Sequence, residues 1–204
     1  MTMQKLNLTI RRGASSDIPI RIETDELIYR PITAMTNGAP LQITAPAHGL
    51  PNGWRAAIQN AGGSSEINLP WDRLRDADLR KIAWIDADHF TFPEINSSAW
   101  RAYTSGGQVV YYQPLDLSAF SSASMDVRAA VGESLLAHYS TAAGTLEIDT
   151  ANSAIWMRLS VTDTESMPAA DLVFDIELTR SAGGVIALCT PDSTLTVLPE
   201  VTTT

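Results

Sequence analysis

The chain is 204 residues long, 45% hydrophobic, and carries fourteen basic and 23 acidic side chains for a net charge of −9. That apolar content is ample for one large or two small packed domains and excludes a disordered chain. The negative balance argues against phosphate-backbone binding, so no nucleic acid is expected as the main ligand. No apolar run is long enough to span a bilayer, and Met1-Thr2-Met3-Gln4-Lys5 leads straight into alternating sequence. A soluble chain made in the cytoplasm, with no membrane contact, is the expectation.

Period-2 alternation, the mark of strands with one buried face, recurs almost throughout. Leu6, Leu8 and Ile10 alternate with Asn7 and Thr9, and after Gly13-Ala14-Ser15-Ser16 the pattern resumes at Ile18, Ile20 and Ile22. These read as an N-terminal pair of strands in which Pro19, lacking an N–H, belongs on an edge or at a bulge. Ile28 to Thr33 and Leu41 to Thr44 flank the Asn37-Gly38 turn signal. Further strands are predicted at Trp54 to Gln59, Lys81 to Asp86, Phe90 to Phe92 and Gln108 to Tyr112. Trp71, Leu74, Ala77 and Leu79 suit a short helix or helical turn within Trp71 to Arg80.

The C-terminal half alternates more plainly. Met125 and Val127, Leu146 and Ile148, Ile155 to Val161, Leu172 to Leu178, Val185 to Leu188 and Leu195 to Val197 each predict a strand. Thr162 as N-cap with Glu165 at the capping-box position predicts one helical turn. Ala61-Gly62-Gly63, Ser105-Gly106-Gly107 and Ala182-Gly183-Gly184 lack the Lys-Ser/Thr of a phosphate loop and read as hairpin turns. The one cysteine, Cys189, sits in an apolar run and reads as a small buried hydrophobe, with no disulfide framework or cysteine-based zinc site. Many short strands separated by turns imply an all-β sandwich or barrel.

Charge is unevenly spread. Between Ile28 and Gln108 seven basic residues balance seven acidic ones, so the whole excess of negative charge lies in the two flanks, a hint of two domains with different surfaces. Two stretches then resemble phage tail proteins. Ile43 to Trp54, Trp84 to Phe90, Asn96 to Trp100 and Tyr103-Thr104-Ser105-Gly106-Gly107 are similar to the small β-barrel of phage proteins that resembles the first-catalytic-cysteine-half domain of ubiquitin-activating enzymes. The likeness implies a fold and no ubiquitin chemistry. Pro114 to Ser118, Ala123 to Arg128, Gly144 to Asp149, Ile155 to Val161, Phe174 to Leu178 and Leu198 to Thr202 resemble the N-terminal β-sandwich of phage upper baseplate proteins.

In that family the Asp-Leu-Ser/Thr element follows soon after two opening strands. Here Asp116-Leu117-Ser118 arrives only after the barrel-like stretch. The resemblance therefore implies a discontinuous β-sandwich, residues 1–27 plus 109–204, carrying an inserted small β-barrel at 28–108. It also implies a non-enzymatic virion part, an adaptor or connector of the tail or head-to-tail region. Its expected partners are other virion proteins such as portal, tail or fibre subunits, and copies of itself in a homo-oligomeric ring. A carbohydrate- or receptor-binding module on the tail and a head decoration protein are the alternatives.

No catalytic, cofactor or metal residue is nominated. His48 lies in a Pro/Gly turn, His89 follows Asp86-Ala87-Asp88 without a third carboxylate at a recognisable spacing, and His138 lies beside Tyr139 on a predicted strand. No Gly-x-Ser-x-Gly elbow accompanies the many serines. Trp54, Trp71, Trp84, Trp100 and Trp156 could stack on sugars or anchor an interface. Alternation turns Trp156 outward between inward Ile155 and Met157, so Trp156 with Arg158, and Trp100 with Tyr103, are the candidate interface residues.

Overall fold

The computed structural model describes residues 5–69 and 74–200. The protein is nearly all β. In chain order it runs β1 (Asn7–Arg11), β2 (Ser16–Arg21), β3 (Glu23–Pro31), β4 (Ala34–Thr36), β5 (Leu41–Thr44) and β6 (Arg55–Ala61). β7 (Arg80–Lys81), β8 (Ala83–Trp84), β9 (His89–Phe92) and β10 (Gly106–Pro114) follow. The C-terminal half supplies β11 (Phe120–Arg128), β12 (Leu135–Ser140), β13 (Leu146–Asp149), β14 (Ala154–Leu159), α1 (Val161–Glu165), β15 (Asp171–Arg180), β16 (Val185–Ala187) and β17 (Thr194–Leu198). No helix among the described residues is long and apolar enough to cross a membrane.

Two compact units emerge: Met1–Ile22 with Leu115–Thr204, and Glu23–Pro114. The boundaries expected at 27/28 and 108/109 fall inside β3 and β10. Those strands form one antiparallel ladder from Gln108 opposite Pro31 to Pro114 opposite Glu23, and a ladder is not divided between cores. Its register shifts between Tyr112 and Pro114, because proline has no N–H to give to a regular ladder. The shift of boundary moves Glu23, Asp25 and Glu26 into the inserted unit. That unit then holds ten acidic against seven basic residues and the flanks thirteen against seven, so the acidity is not confined to the flanks.

The first unit is a sandwich. One sheet has the order β1-β17-β15-β11-β12, with β16 also on β15; the other has the order β13-β14-β2. Inward residues of both meet in one core that includes Ile10, Ile20, Met125, Ile155, Met157, Phe174, Ile176 and Leu195. Each such side chain contributes about 1.5–3 kcal/mol by leaving water. The two opening strands do not pair with each other: β1 runs parallel to β17, while β2 lies antiparallel to β14 in the opposite sheet. Pro19 sits opposite Trp156 on β2, an edge strand, where its missing N–H costs no ladder bond.

The inserted unit has two four-stranded sheets, β3-β10-β6-β7 and β4-β5-β9-β8, around a core that includes Trp54, Phe90, Phe92, Ile43 and Val109. They share corners, since β3 continues through Ile32 and Thr33 into β4, and β7 through Ile82 into β8. Ile32 N–H donates to Gly107 O (3.0 Å) and Thr33 N–H to Thr44 O (2.9 Å), so the corner serves both sheets. The strand pairing thus divides into two sheets where the resemblance implied a single small barrel.

Three local expectations are corrected. Alternation ends at Leu159, and the exposed Val161 begins α1; the cap is Ser160, whose hydroxyl accepts from Asp163 N–H while the Asp163 carboxylate accepts from Ser160 N–H (2.8 Å). That box lies two residues before the expected Thr162 and Glu165. Of the predicted helix from Trp71, residues 71–73 lie outside the described residues, and the remainder holds only a 3-10 turn at Asp76–Asp78. Of the three glycine pairs, Gly183-Gly184 turns a hairpin between β15 and β16, whereas Gly62-Gly63 packs on the chain at Ala102 to Ser105. A Cβ on Gly63, at φ +83°, would lie 2.0 Å from Ala102 O, and no side chain fits there. Gly106-Gly107 opens β10.

Because Ser160 closes the box, Ser160→Ala should cost roughly 1 kcal/mol in chemical denaturation while Thr162→Ala costs a few tenths or less. Equal effects would return the cap to Thr162.

Candidate functional site

The outer face of the β13-β14-β2 sheet carries the most organised surface cluster. Trp156 projects from β14 between buried Ile155 and Met157, flanked by Glu147 on β13 and Pro19 on β2. Its indole N–H donates to Asp149 Oδ2 (3.2 Å). The Arg158 guanidinium lies 4.9 Å from the ring centroid and donates through Nε to Glu147 Oε2 (2.8 Å), with Nη1 at 3.4 Å from Asp17 Oδ1. These exposed ion pairs contribute little each, but together with the cation–π contact they hold a half-buried Trp in one orientation. Burial pushes the Asp149 carboxyl up, yet hydrogen bonds from the Asn152 side chain and backbone, the indole and the Ala151 backbone hold it below its ordinary range.

Trp100 and Tyr103 belong to the inserted unit. Both pack partly against its core, and the Tyr103 hydroxyl reaches Ile32 O (3.1 Å) and Gly106 O (2.8 Å), tying their loop to the sheet corner. Asn37 Nδ2 donates to Trp100 O (3.0 Å) and Arg101 O (3.1 Å), which secures the same loop. The four candidate residues therefore fall in two separate units, Trp156 and Arg158 in contact on one sheet face of the sandwich and Trp100 and Tyr103 on one loop of the inserted unit. Trp54 is fully buried, its indole donating to Tyr112 O (3.0 Å), so it cannot meet a sugar. Trp84 is 48% exposed, while Trp71 lies outside the described residues.

Two of the three histidines, His48 and His89, are tied into turns. His48 is buried: Nδ1 accepts from Leu50 N–H (3.0 Å), which puts the ring proton on Nε2, and that donates to Asp86 O (3.0 Å). Tyr111 donates its hydroxyl to His48 O, and the imidazole meets Phe90 edge-on. With both nitrogens committed, the ring has no lone pair left for a metal or substrate. Asp86 Oδ1 accepts from Asp88 N–H (2.9 Å) and meets His89 Nδ1 at 2.8 Å, while Asp88 Oδ1 accepts from Ala47 N–H (2.8 Å). The Asp88 backbone N–H, then His89, hold the Asp86 carboxyl below its usual range. This is a self-bonded turn between β8 and β9.

Alternation alone does not reveal which residues meet on the outer face of the larger sandwich sheet. Asp126 on β11 stands directly opposite Asp175 on β15 and His138 on β12. His138 Nδ1 lies 2.7 Å from Asp126 Oδ1, and Arg128 donates to Asp126 Oδ2 (3.2 Å) and to Glu133 O (2.7 Å). Beside them a pocket of about 130 Å³ is lined by Asp126, Arg128, Val131, Gly132, Val173, Phe174, Asp175 and Pro191. The signal in the sequence was that Asp126 and Asp175 occupy outward positions, but their meeting depends on register.

No protein-family model matches the chain, and a search of curated proteins finds no match.

One buried polar group predicts a pH effect. Tyr139 on β12 is 4% exposed, its hydroxyl has no hydrogen-bond partner among the described residues, and burial pushes its pKa up to about 12. The unfolded chain ionises near 10, so the native state holds the proton longer and stability falls as pH rises from about 10 toward 12. Tyr139→Phe should leave stability at neutral pH unchanged or slightly raised and should flatten that alkaline loss, as followed by urea unfolding at stepped pH.

Proposed function

We propose that this chain is a non-enzymatic structural component of a bacteriophage virion, an adaptor or connector of the tail or head-to-tail region that works by burying protein surface. The observation that carries the reading is the outward Trp156, held between Arg158 and Asp149 on a rigid sheet face. Aromatic and arginine side chains fixed in advance lose little entropy on docking and dominate protein interfaces. The side chains with chemical potential point the same way, since His48, Asp86, Asp88 and His89 are spent on holding turns. The sequence resemblance to phage baseplate sandwiches supplies the setting.

Mass spectrometry of purified particles made from the genome that encodes the chain tests this. The chain should be present at a ring-like copy number, and Trp156→Ala should lower its incorporation severalfold. Absence from particles defeats the reading, and capsid-lattice copy number would favour a head decoration protein.

A second reading, a glycan- or receptor-binding module, is favoured by Trp84 alone, an exposed indole followed by the 46% exposed Ile85 at a hairpin tip. On a glycan array that reading expects binding that Trp84→Ala abolishes; the adaptor reading expects none.

A further inference from the structure

Among the described residues the six-stranded sheet of the sandwich has edges at β12, which pairs only with β11, at β1, which pairs only with β17, and at the short β16, which pairs only with β15. The two long edges, β12 and β1, are the ones that match. Ser140 N–H turns to Thr145 Oγ1 (2.9 Å) and so away from β11; by antiparallel alternation His138 also sends its N–H and C=O to the free side. On the other edge Thr194 N–H donates to Leu6 O (2.9 Å) and Arg12 N–H to Leu198 O (2.9 Å), which assigns the even residues of β1 to β17. Asn7 and Thr9 therefore present their backbone groups to the free side.

The two edges match each other in direction. β12 is antiparallel to β11, β11 to β15 and β15 to β17, while β17 is parallel to β1, so β1 runs opposite to β12. A copy displaced along the sheet keeps its direction and would bring its β1 antiparallel to β12, the stronger ladder.

They also match in chemistry. The β12 side carries exposed Val131, Leu135 and Leu136, where a solitary edge is usually blunted by lysine or proline. It also carries the facing carboxylates Asp126 and Asp175 and their pocket. The β1 side carries exposed Arg11 on the same outer face. An added β1 lies two strand spacings from β11, ~10 Å, a gap that an arginine and an aspartate reaching toward each other span, with Arg11 joining the His138 and Arg128 side chains already on Asp126.

We propose that copies of this chain add head to tail, β12 of one pairing with β1 of the next, so that the sandwich sheet continues from subunit to subunit. A two-fold pairing of β12 with another β12 would instead set one Asp126 row near the other and leave Arg11 without use. The proposal deepens the assembly reading and rests on it for its setting. The chain could enter particles through other proteins without ever binding itself, so either idea can fail alone.

Sedimentation velocity of the full chain across a wide concentration range tests it, with Thr9→Pro and His138→Pro as variants. Each removes an N–H that faces the free side, so the internal ladders keep their bonds. Wild type should form oligomers that grow with concentration, and each variant alone should stay monomeric. An equal mixture of the two should give dimers and nothing larger, because each variant keeps one intact edge. Wild type that stays monomeric, or Thr9→Pro that assembles normally, overturns the proposal; His138→Pro blocking alone points to the two-fold pairing. If either proline variant loses its cooperative melt, the double variant Thr9→Cys with His138→Cys replaces it. Oxidation should then give a ladder of covalent multimers, and a product that stops at monomer or dimer overturns the proposal.

Discussion

Ile22 O accepts a hydrogen bond from Leu115 N–H at 3.0 Å, so the chain leaves the sandwich and re-enters it at bonded neighbours on either side of the inserted unit. Everything before it must find partners that the chain has yet to make: β1 waits for β17 and β2 for β14. Closing so long an excursion costs entropy that grows only slowly with its length, and the inserted unit reduces that cost by holding its own ends together. Glu23 and Pro114 are ladder partners, so the excursion leaves and returns at neighbouring positions.

Within each unit the polar chemistry serves the turns. His48, Asn37, Tyr103 and the Asp86-Ala87-Asp88 turn hold loops of the inserted unit. In the sandwich the box between Ser160 and Asp163 stops a strand and starts α1. Buried N–H and C=O groups outside ladders need partners, and these side chains supply them. What remains on the surface is sheet face and sheet edge. The Trp156 and Arg158 face is set by internal bonds before any partner arrives, while among the described residues no strand pairs with the outer sides of β1 and β12.

Parts of the candidate site were legible in the sequence. The outward direction of Trp156 follows from its place between Ile155 and Met157, because successive side chains of a strand leave on opposite faces. Its partners were not, since Asp149 and Glu147 come from β13 and Asp17 from β2. Trp54 shows the converse. Composition offers it as a stacking surface, and only its place at the centre of the inserted core, with Tyr112 O as acceptor, removes it.

By itself the sequence determined that the chain is all β and, for strands such as β11, β14 and β15, where they lie and which face is buried, for alternation is a local property carried by adjacent residues. It showed nothing of β4, and the single strand expected from Lys81 to Asp86 is the two short strands β7 and β8. It also contained the signal that ends β14, although the alternation running on to Val161 hid it until Ser160 and Asp163 were seen to bond. Tertiary structure alone decided which strands pair, in which direction and which are left as edges. Pairs such as Asn7 with Thr194 and Ile20 with Ile155 join residues from opposite ends of the chain, and no local pattern encodes a register across that distance.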